Sequence, residues 1–336
     1  MKQAMFQEPK EGREVRCGLC SHRCLIPEGR RGICAVRENR DGVLYSLVYD
    51  RVIANNIDPI EKKPLFHFLP GSRSYSIATP GCNFRCLHCQ NADISQFPRD
   101  YGGPLPGRAI SPAEIVSDAV SYGCRSISYT YTEPTIFFEL AYDTAKEAEK
   151  SGLKNVFVTN GYITPEALDV IRPHLHAANI DLKGFSEGFY KKVCGARLQP
   201  VLDAIRLYKR LGIWIEITTL VIPGWNDSEP ELRDIALFIK SVGDDVPWHV
   251  TRFHPAYKLI DRPQTPVETL RRAQEIGRDA GLKYVYEGNI SGEGEDTHCW
   301  SCRRVLVKRA GFIVRENLIK DGRCIYCGAV IHGFWG

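Results

Sequence analysis

The chain has 336 residues, 43% of them hydrophobic, and a formal net charge of +4. This length accommodates one large domain with appendages or two domains, and the composition supports a substantial buried core. Nowhere do about 18 apolar residues run together, and residues 1–8 lack the apolar segment of a secretory signal. We therefore expect a soluble, cytoplasmic protein and exclude a membrane protein.

Cysteine is the most informative residue type in this chain. Its 13 cysteines fall into a group of four near the N-terminus, a group of three, and a group of four near the C-terminus, with only Cys124 and Cys194 apart. In a cytoplasmic chain such groups indicate metal binding rather than disulfides. Both cysteine-rich ends are net basic and residues 41–298 are net acidic. An anionic partner such as nucleic acid is thereby left open, although ordinary solvated surface is the favoured explanation of the charge.

The first group has the spacing C-x2-C-x3-C-x9-C and consists of Cys17, Cys20, Cys24 and Cys34. Glycines between the last two cysteines let the chain turn back, so that four thiolates can converge on one tetrahedral ion. The spacing does not match the ferredoxin patterns, so zinc is favoured over a second iron–sulfur centre. Residues 1–50 are predicted to form a small metal-binding knuckle packed on the main domain.

The central group follows a predicted strand, 74–79, and a Pro80-Gly81 turn. It has the spacing C-x3-C-x2-C and consists of Cys82, Cys86 and Cys89. Three thiolates on one loop can hold three corners of a [4Fe–4S] cluster, which usually takes four protein ligands. With no fourth cysteine nearby in the sequence, one iron is left open for a small molecule. The alternative, a zinc loop, would need a fourth ligand.

From residue 74 onward, predicted strands and helices alternate. The strands are predicted at 74–79, 125–132, 155–160, 177–182, 213–220, 248–254 and 284–288. The helices are predicted at 112–122, 135–151, 165–172, 200–211, 229–242 and 267–280, and several begin with proline in the first turn. This alternation predicts parallel strands joined by right-handed crossovers. Six units are too few for a closed eight-stranded barrel, so residues 51–290 are predicted to form an open, partial (β/α)6 barrel of the TIM type. Such folds carry their chemistry on the loops after the strands.

Polar residues stand at four of the predicted strand ends, which favours one shared pocket over separate structural roles. They are Glu133, Thr159 with Asn160, Asp181 with Lys183, and His254. Structural alternatives exist for some of them: Glu133 could stabilise a helix N-terminus, and Asp181 and Lys183 could form an ordinary salt bridge. Cys194 follows the fourth parallel strand and is a candidate catalytic thiol if it reaches the pocket.

A glycine-rich loop, 287–294, is the predicted boundary of a C-terminal module, 295–336. Two C-x2-C pairs flank an apolar hairpin there: Cys299, Cys302, Cys324 and Cys327. This spacing is typical of a zinc ribbon or a rubredoxin-like site. Four thiolates suit zinc or a single iron, and the sequence does not separate the two.

The cysteine loop resembles that of the radical S-adenosylmethionine (SAM) superfamily. With Thr159-Asn160-Gly161, Asp181-Leu182-Lys183, 221–225 and 253–255, it resembles the pyruvate formate-lyase activating enzyme branch over residues 74–255. The resemblance implies that SAM chelates the open iron, while Glu133, Thr159, Asp181, Lys183 and His254 surround its methionine end. His88 stands at a usually aromatic position beside the adenine. Tyr131 and Thr132 replace the glycines that precede the glutamate, and Val158 replaces an acidic cation ligand, which puts cation binding in doubt.

Including both ends, the chain resembles the radical SAM component of the AmmeMemoRadiSam system. The resemblance implies reduction by an external electron donor, formation of a 5′-deoxyadenosyl radical and hydrogen abstraction from a substrate. Similarity to activating enzymes favours a protein glycine as target. A small molecule or RNA is the alternative substrate. A non-catalytic iron–sulfur electron carrier is a third hypothesis, and such a protein would not need the strand-end residues.

Overall fold

A computed structural model of the protein describes residues 1–290 and 294–335. Its centre is an eight-stranded sheet whose strands follow one another in chain order. The first two strands pair antiparallel and every later pair is parallel. The strands are Ala54–Pro59, Arg73–Ala78, Ser126–Tyr129, Lys154–Thr159, Ala177–Asp181, Trp214–Val221, Trp248–Arg252 and Val285–Gly288. The first and last strands do not pair within the described residues, so the barrel is open, as predicted.

The helices lie between the parallel strands and cover the outer face of the sheet. The α-helices are Ala92–Ser95, Phe97–Asp100, Pro112–Ser121, Phe138–Lys150, Pro165–Ile171, Glu187–Phe189, Leu198–Arg210, Glu229–Val242 and Val267–Asp279. Short 3₁₀ segments are Glu11–Arg13, Ile60–Lys62, Pro134–Phe137 and Arg172–His174, and Tyr190–Cys194 is a π turn. Ser111 and Thr164 cap two of the helices that begin with proline, each accepting a backbone N–H bond.

Side chains alternate across the sheet between an apolar outer face and a polar interior, as the two-residue period of a strand requires. Tyr75 points outward and donates to Asp118 on the helix Pro112–Ser121 at 2.9 Å. Its neighbour Ser74 points inward, where its hydroxyl lies 2.6 Å from that of Ser128. Part of the barrel interior is therefore polar, while Val156 and Ala177 belong to a buried apolar cluster with Leu65 and Phe68.

The N-terminal region consists of short antiparallel strands packed against the barrel. Its strands are Lys2–Gln3, Gln7–Pro9, Val15–Cys17, Leu25–Ile26, Arg37–Arg40 and Val43–Ser46. A buried ion pair, Arg37 Nη2 to Glu139 Oε1 at 2.8 Å, joins it to the helix Phe138–Lys150. A backbone bridge between Cys20 and Ile163 joins it to the loop after the strand Lys154–Thr159.

The C-terminal region packs under the opposite end of the barrel, where the parallel strands begin. Its strands are Thr297–His298, Val305–Ala310, Ile313–Asn317, Ile319–Lys320 and Arg323–Cys324. One chain of hydrogen bonds joins it to the barrel. Arg309 donates to Thr297 at 2.8 Å, and the hydroxyl of Thr297 lies 2.9 Å from that of Tyr286. Tyr286 in turn donates to His67 Nε2 at 2.5 Å, and His67 Nδ1 donates to the carbonyl of His332 at 2.6 Å. Buried Arg309 also lies 3.8 Å from buried Glu61. The two regions share one buried polar network.

The predicted fold class is confirmed, and one strand of the sheet was not predicted. The edge strand Ala54–Pro59 was not predicted, because its sequence lacks the alternating apolar pattern of a half-buried strand. Residues 291–293 of the predicted boundary loop lie outside the described residues. No helix in the described parts of the chain is long and apolar enough to cross a membrane.

Candidate active site

The three-cysteine loop leaves the carboxyl end of the strand Arg73–Ala78. Cys86 is buried, and Cys82 and Cys89 are partly buried. Two backbone bonds tie the loop to the π turn: Arg85 N donates to Cys194 O at 2.8 Å, and Leu87 N to Val193 O at 2.9 Å. The loop is therefore held from the side of the fourth parallel strand as well as by its own strand.

The thiols of this loop lie in an environment that disfavours their negative charge. Burial, followed by the charges of Glu133 and Cys86, raises the pKa of Cys82 well above its ordinary value. A hydrogen bond with Cys194, followed by burial, raises that of Cys86. Stable thiolates here need a cationic partner, which a metal centre supplies.

Glu133 lies at the end of the strand Ser126–Tyr129, with 1% of its surface exposed. Its Oε1 accepts from Thr135 N (3.0 Å), Thr135 Oγ1 (2.6 Å) and Thr159 Oγ1 (2.8 Å), while Oε2 accepts from Asn160 N at 2.8 Å. Burial raises the pKa of Glu133, and these hydrogen bonds oppose the rise. Since a carboxylate oxygen has two lone pairs, Oε2 has room for one further donor.

Asn160 connects this carboxylate to the cysteine loop. Its backbone N–H binds Glu133, while its Nδ2 donates to Asn83 Oδ1 at 2.7 Å and lies 3.9 Å from Cys82 Sγ. The ends of two neighbouring strands and the cysteine loop thus share one hydrogen-bond network. Asn83 was not predicted as a site residue, although its place directly after Cys82 was the available signal.

Asp181 and Lys183 follow the next strand and form an ion pair, Nζ to Oδ2, at 2.8 Å. Burial alone lowers the pKa of Lys183, but Asp181, Cys86 and Cys194 outweigh it and raise the pKa well above its ordinary value. Lys183 is therefore a fixed positive charge beside the thiols. The salt bridge predicted as a structural alternative is present, and it faces the same site.

The two predicted histidines differ in their surroundings. His88 is buried against Phe189, with ring centroids 6.3 Å apart, and its Nδ1 has no hydrogen-bond partner. Burial, with a smaller contribution from the charge of Lys183, lowers the pKa of His88 to about 3, so the ring is neutral. His254 follows the strand Trp248–Arg252 and is exposed at the rim.

Cys194 is fully buried and lies against the cysteine loop, close enough to Cys86 for a thiol hydrogen bond. The sequence places these two residues far apart, so the fourth thiol beside the loop was not apparent from spacing. Tyr131, which stands where the related motif has a glycine, adopts φ = 61°. A glycine would take this conformation without strain. Here the side chain reaches into the barrel and donates to Asp58.

Three buried polar atoms around the loop have no partner among the described residues: Thr79 Oγ1, Asn83 Nδ2 and His88 Nδ1. Buried polar groups are rarely left unpaired. Their occurrence beside one loop indicates a polar ligand at this place.

The sulfurs of the four C-terminal cysteines lie close together. At the C-terminus, Cys299 and Cys327 Sγ lie 3.6 Å apart and Cys302 and Cys324 Sγ lie 3.7 Å apart. All four sulfurs lie within 4.8 Å of one another. Four sulfurs at about 2.3 Å from one tetrahedral ion would lie about 3.8 Å apart. This group is therefore shaped for a single metal ion.

Comparison with known proteins agrees with the site. The Radical SAM superfamily matches residues 76–236, which include the cysteine loop and the ends of the next three strands, and defines this part of the chain as a radical SAM domain. An uncharacterized protein of Methanocaldococcus jannaschii is 49% identical over 98% of this chain and 99% of its own length. The pyruvate formate-lyase-activating enzyme of Clostridium pasteurianum is 21% identical over 65% of this chain and 93% of its own length.

A solved radical SAM methyltransferase from Sphaerobacter thermophilus shares the fold, with a TM-score of 0.51 and 15% identity over 66% of this chain and 68% of that one. The chain therefore contains a radical SAM domain, residues 76–236, and belongs to one family with the Methanocaldococcus protein. It is an enzyme, and the radical SAM domain implies a [4Fe–4S] cluster and SAM as its cofactors.

Proposed function

We propose that this enzyme cleaves SAM reductively at the carboxyl end of its sheet and uses the product to abstract hydrogen from a substrate. The observation that carries the proposal is the convergence of three thiols, an ion pair and a buried carboxylate around unpaired buried atoms. Bound together, the cluster and SAM supply a 5′-deoxyadenosyl radical when one electron from an external donor splits the sulfonium. The protein residues bind, orient and shield these groups.

Cys82, Cys86 and Cys89 are proposed as the three cluster ligands. The donor set fits, because buried thiols with raised pKa values gain a cationic partner and thiolates are the usual ligands of iron–sulfur clusters. Lys183 adds a positive charge that offsets part of the negative charge of the thiolates. The radical SAM domain match spans all three cysteines and supports the same assignment.

The strand-end residues are proposed to hold SAM. The free lone pair on Glu133 Oε2 suits the ammonium at the methionine end of SAM. Thr159 and Asn160 donate to the side-chain carboxylate of Glu133 and hold it in place. Lys183, whose ammonium is held by Asp181, suits the carboxylate of SAM. The unpaired Nδ1 of His88 suits the adenine, and exposed His254 completes the rim. Cys194, buried behind Cys86, is proposed as a reactive thiol of the same site.

A protein segment, with glycine as the target, is the substrate class that we propose. The name of the Clostridium relative gives it a protein target. The rim of this site also exposes large hydrophobic side chains: Tyr101 is 74% exposed and Ile260 is 73% exposed. The two segments that carry them lie side by side. Tyr257, three residues before Ile260, donates to Asp100, the residue before Tyr101, at 2.7 Å. Exposed hydrophobic groups beside an active site suit a macromolecular partner.

The remaining assignments follow from the same features. We propose that the protein is the radical SAM component of an AmmeMemoRadiSam system, with boundaries 1–50, 51–290 and 295–336, and that it works in the cytoplasm, where its free thiols stay reduced. The C-terminal quartet is proposed to hold one zinc ion, in keeping with its sulfur spacing.

The test is production of 5′-deoxyadenosine by the anaerobic, reconstituted protein given SAM and dithionite. Cys86→Ala should abolish both product and the visible cluster absorption, whereas Cys124→Ala, a buried thiol outside the site, should retain them. Full SAM cleavage by Cys86→Ala would refute the assignment.

The substrate class is tested with extracts of cells grown in deuterated medium. Deuterium transfer to 5′-deoxyadenosine should come from the macromolecular fraction and disappear after protease treatment. Transfer from the low-mass fraction, or loss on RNase treatment, would replace the protein by a small molecule or RNA.

A further inference from the structure

The four N-terminal cysteines line one pocket beside the active site. Cys17 and Cys34 are buried, and Cys20 and Cys24 are partly buried. Apolar side chains form most of the remaining wall, among them Leu19, Ile26, Ile33 and Ile136. The pocket is therefore a thiol-lined chamber with an apolar lining.

The sulfurs in this chamber are too widely spaced for a single ion. Among the residues that the structure describes, the C-terminal quartet is the one group of three or more potential ligand atoms lying within 4.8 Å of each other. No three of the N-terminal sulfurs lie that close, and neither do those of Cys82, Cys86 and Cys89. The N-terminal quartet thus shares the wider spacing of the predicted cluster loop and lacks the spacing of about 3.8 Å that one tetrahedral ion imposes.

We propose that Cys17, Cys20, Cys24 and Cys34 bind a second [4Fe–4S] cluster, which replaces the zinc ion favoured by their spacing in the sequence. In such a cluster each thiolate binds a different iron, so the sulfurs stand further apart than around one ion. Four thiolates complete the usual ligand set of a [4Fe–4S] cluster. No iron is left open for SAM, so this centre serves electron transfer rather than radical formation.

The chamber shares a wall with the active-site loop. Arg99 donates to the carbonyl of Ile33 at 2.8 Å and also to that of Cys82 at 2.5 Å. His22 donates to the carbonyl of Asn83 at 2.9 Å. A Cβ on Gly81 would lie 3.2 Å from the carbonyl of Cys34. Arg99 thus joins Ile33, the residue before Cys34, to Cys82 through hydrogen bonds to both carbonyls.

This position suits a relay, a role that rests on the proposed function. The second cluster takes one electron from an external low-potential one-electron donor, which is oxidised, and passes it to the cluster of the Cys82 loop. No bond forms or breaks and no proton moves in this step. Binding of the second cluster does not depend on that role.

The experiment counts metals in the full-length protein after anaerobic reconstitution with iron and sulfide. We expect about eight irons and one zinc per chain in the wild type. The Cys82→Ala/Cys86→Ala/Cys89→Ala variant should keep about four irons, and Cys20→Ala/Cys24→Ala should lose about four. Cys124→Ala is the matched control and should keep all eight. Four irons with two zincs in the wild type, or an iron-free triple variant, would overturn the proposal.

Two further readings keep the outcomes distinct. If Cys20→Ala/Cys24→Ala fails to fold, the wild-type count and the triple variant still decide. The electron paramagnetic resonance spectrum of the reduced wild type should show spin–spin interaction that is absent from the triple variant, and a simple sum of two isolated signals would refute the relay. Eight irons in a protein that does not cleave SAM would refute the proposed function and leave the second cluster standing.

Discussion

Replacing Glu133 by glutamine separates the binding role of this residue from its structural one. The carboxylate accepts four hydrogen bonds from the chain, three at Oε1 and one, from Asn160 N, at Oε2. The amide oxygen of glutamine can take over the three bonds at Oε1. Its NH2 group then faces the Asn160 N–H and the proposed ammonium of SAM, so that donor meets donor at both contacts.

The expected magnitudes follow from these contacts. Losing one charge-assisted hydrogen bond to the ammonium should cost about 1.5–3 kcal/mol, or about tenfold to a hundredfold in SAM affinity. The unpaired Asn160 N–H should cost about 1–3 kcal/mol of stability. For a chain of this size, that corresponds to a melting temperature lower by several degrees. Iron content should not change, because Glu133 is not among the proposed ligands.

The assay is calorimetric titration of SAM into the anaerobic, reconstituted protein, with iron content and thermal unfolding measured on the same samples. Glu114→Gln is the matched control, because Glu114 also accepts a backbone N–H at a helix N-terminus but lies on the surface, away from the site. SAM affinity equal to wild type together with a lowered melting temperature would refute the binding role and leave a structural one.

Two further predictions concern stability. Gly81→Ala would place a Cβ 2.7 Å from Val36 Cγ1 at φ = 104°, so we expect the free energy of unfolding, measured by chemical denaturation, to fall by roughly 1–3 kcal/mol. Adding Val36→Ala should restore part of that loss. A Gly81→Ala variant as stable as the wild type would contradict the close docking of the N-terminal region. Burial lowers the pKa of His67 from 6.5 to about 4. The unfolded chain therefore binds more protons, and stability should fall by roughly 3 kcal/mol as the pH drops from 6.5 to about 4. His67→Gln should remove that part of the pH dependence, and an unchanged slope would show that His67 is not its source.

Local sequence signals predicted the repeating part of the fold. Prolines after Ser111 and Thr164 marked helix starts, and the structure has both as N-caps. The edge strand Ala54–Pro59 was missed because half-exposed polar residues carry no strand periodicity. Its place in the sheet comes from pairing with the strand Arg73–Ala78, a long-range property of the fold.

The active site, like the fold, has features that local sequence predicts and features that depend on long-range contacts. Parallel strands bring their carboxyl ends to one edge, so Glu133, Thr159 and Asp181 could be selected from strand positions alone. The contact between Cys86 and Cys194 and the bridge made by Arg99 depend on how distant segments dock. No local pattern in the sequence encodes that docking. Nor does cysteine spacing give the distances between sulfurs on which the choice between an ion and a cluster depends.

The hydrogen-bond chain from Arg309 to His332 also couples metal supply to the folding of the barrel. His67 belongs to the loop under the barrel, and Tyr286 to its last strand. Unfolding of the C-terminal ribbon would remove the bond from His67 Nδ1 to the carbonyl of His332 and the bond between Tyr286 and Thr297. An ion that binds only the folded ribbon therefore stabilises the barrel by thermodynamic linkage. At a free metal concentration a hundred times the dissociation constant, this contribution is about 2.7 kcal/mol. If the quartet holds such an ion, as proposed, a cell short of that metal would hold less folded enzyme, although the site lies at the end of the barrel opposite the active site.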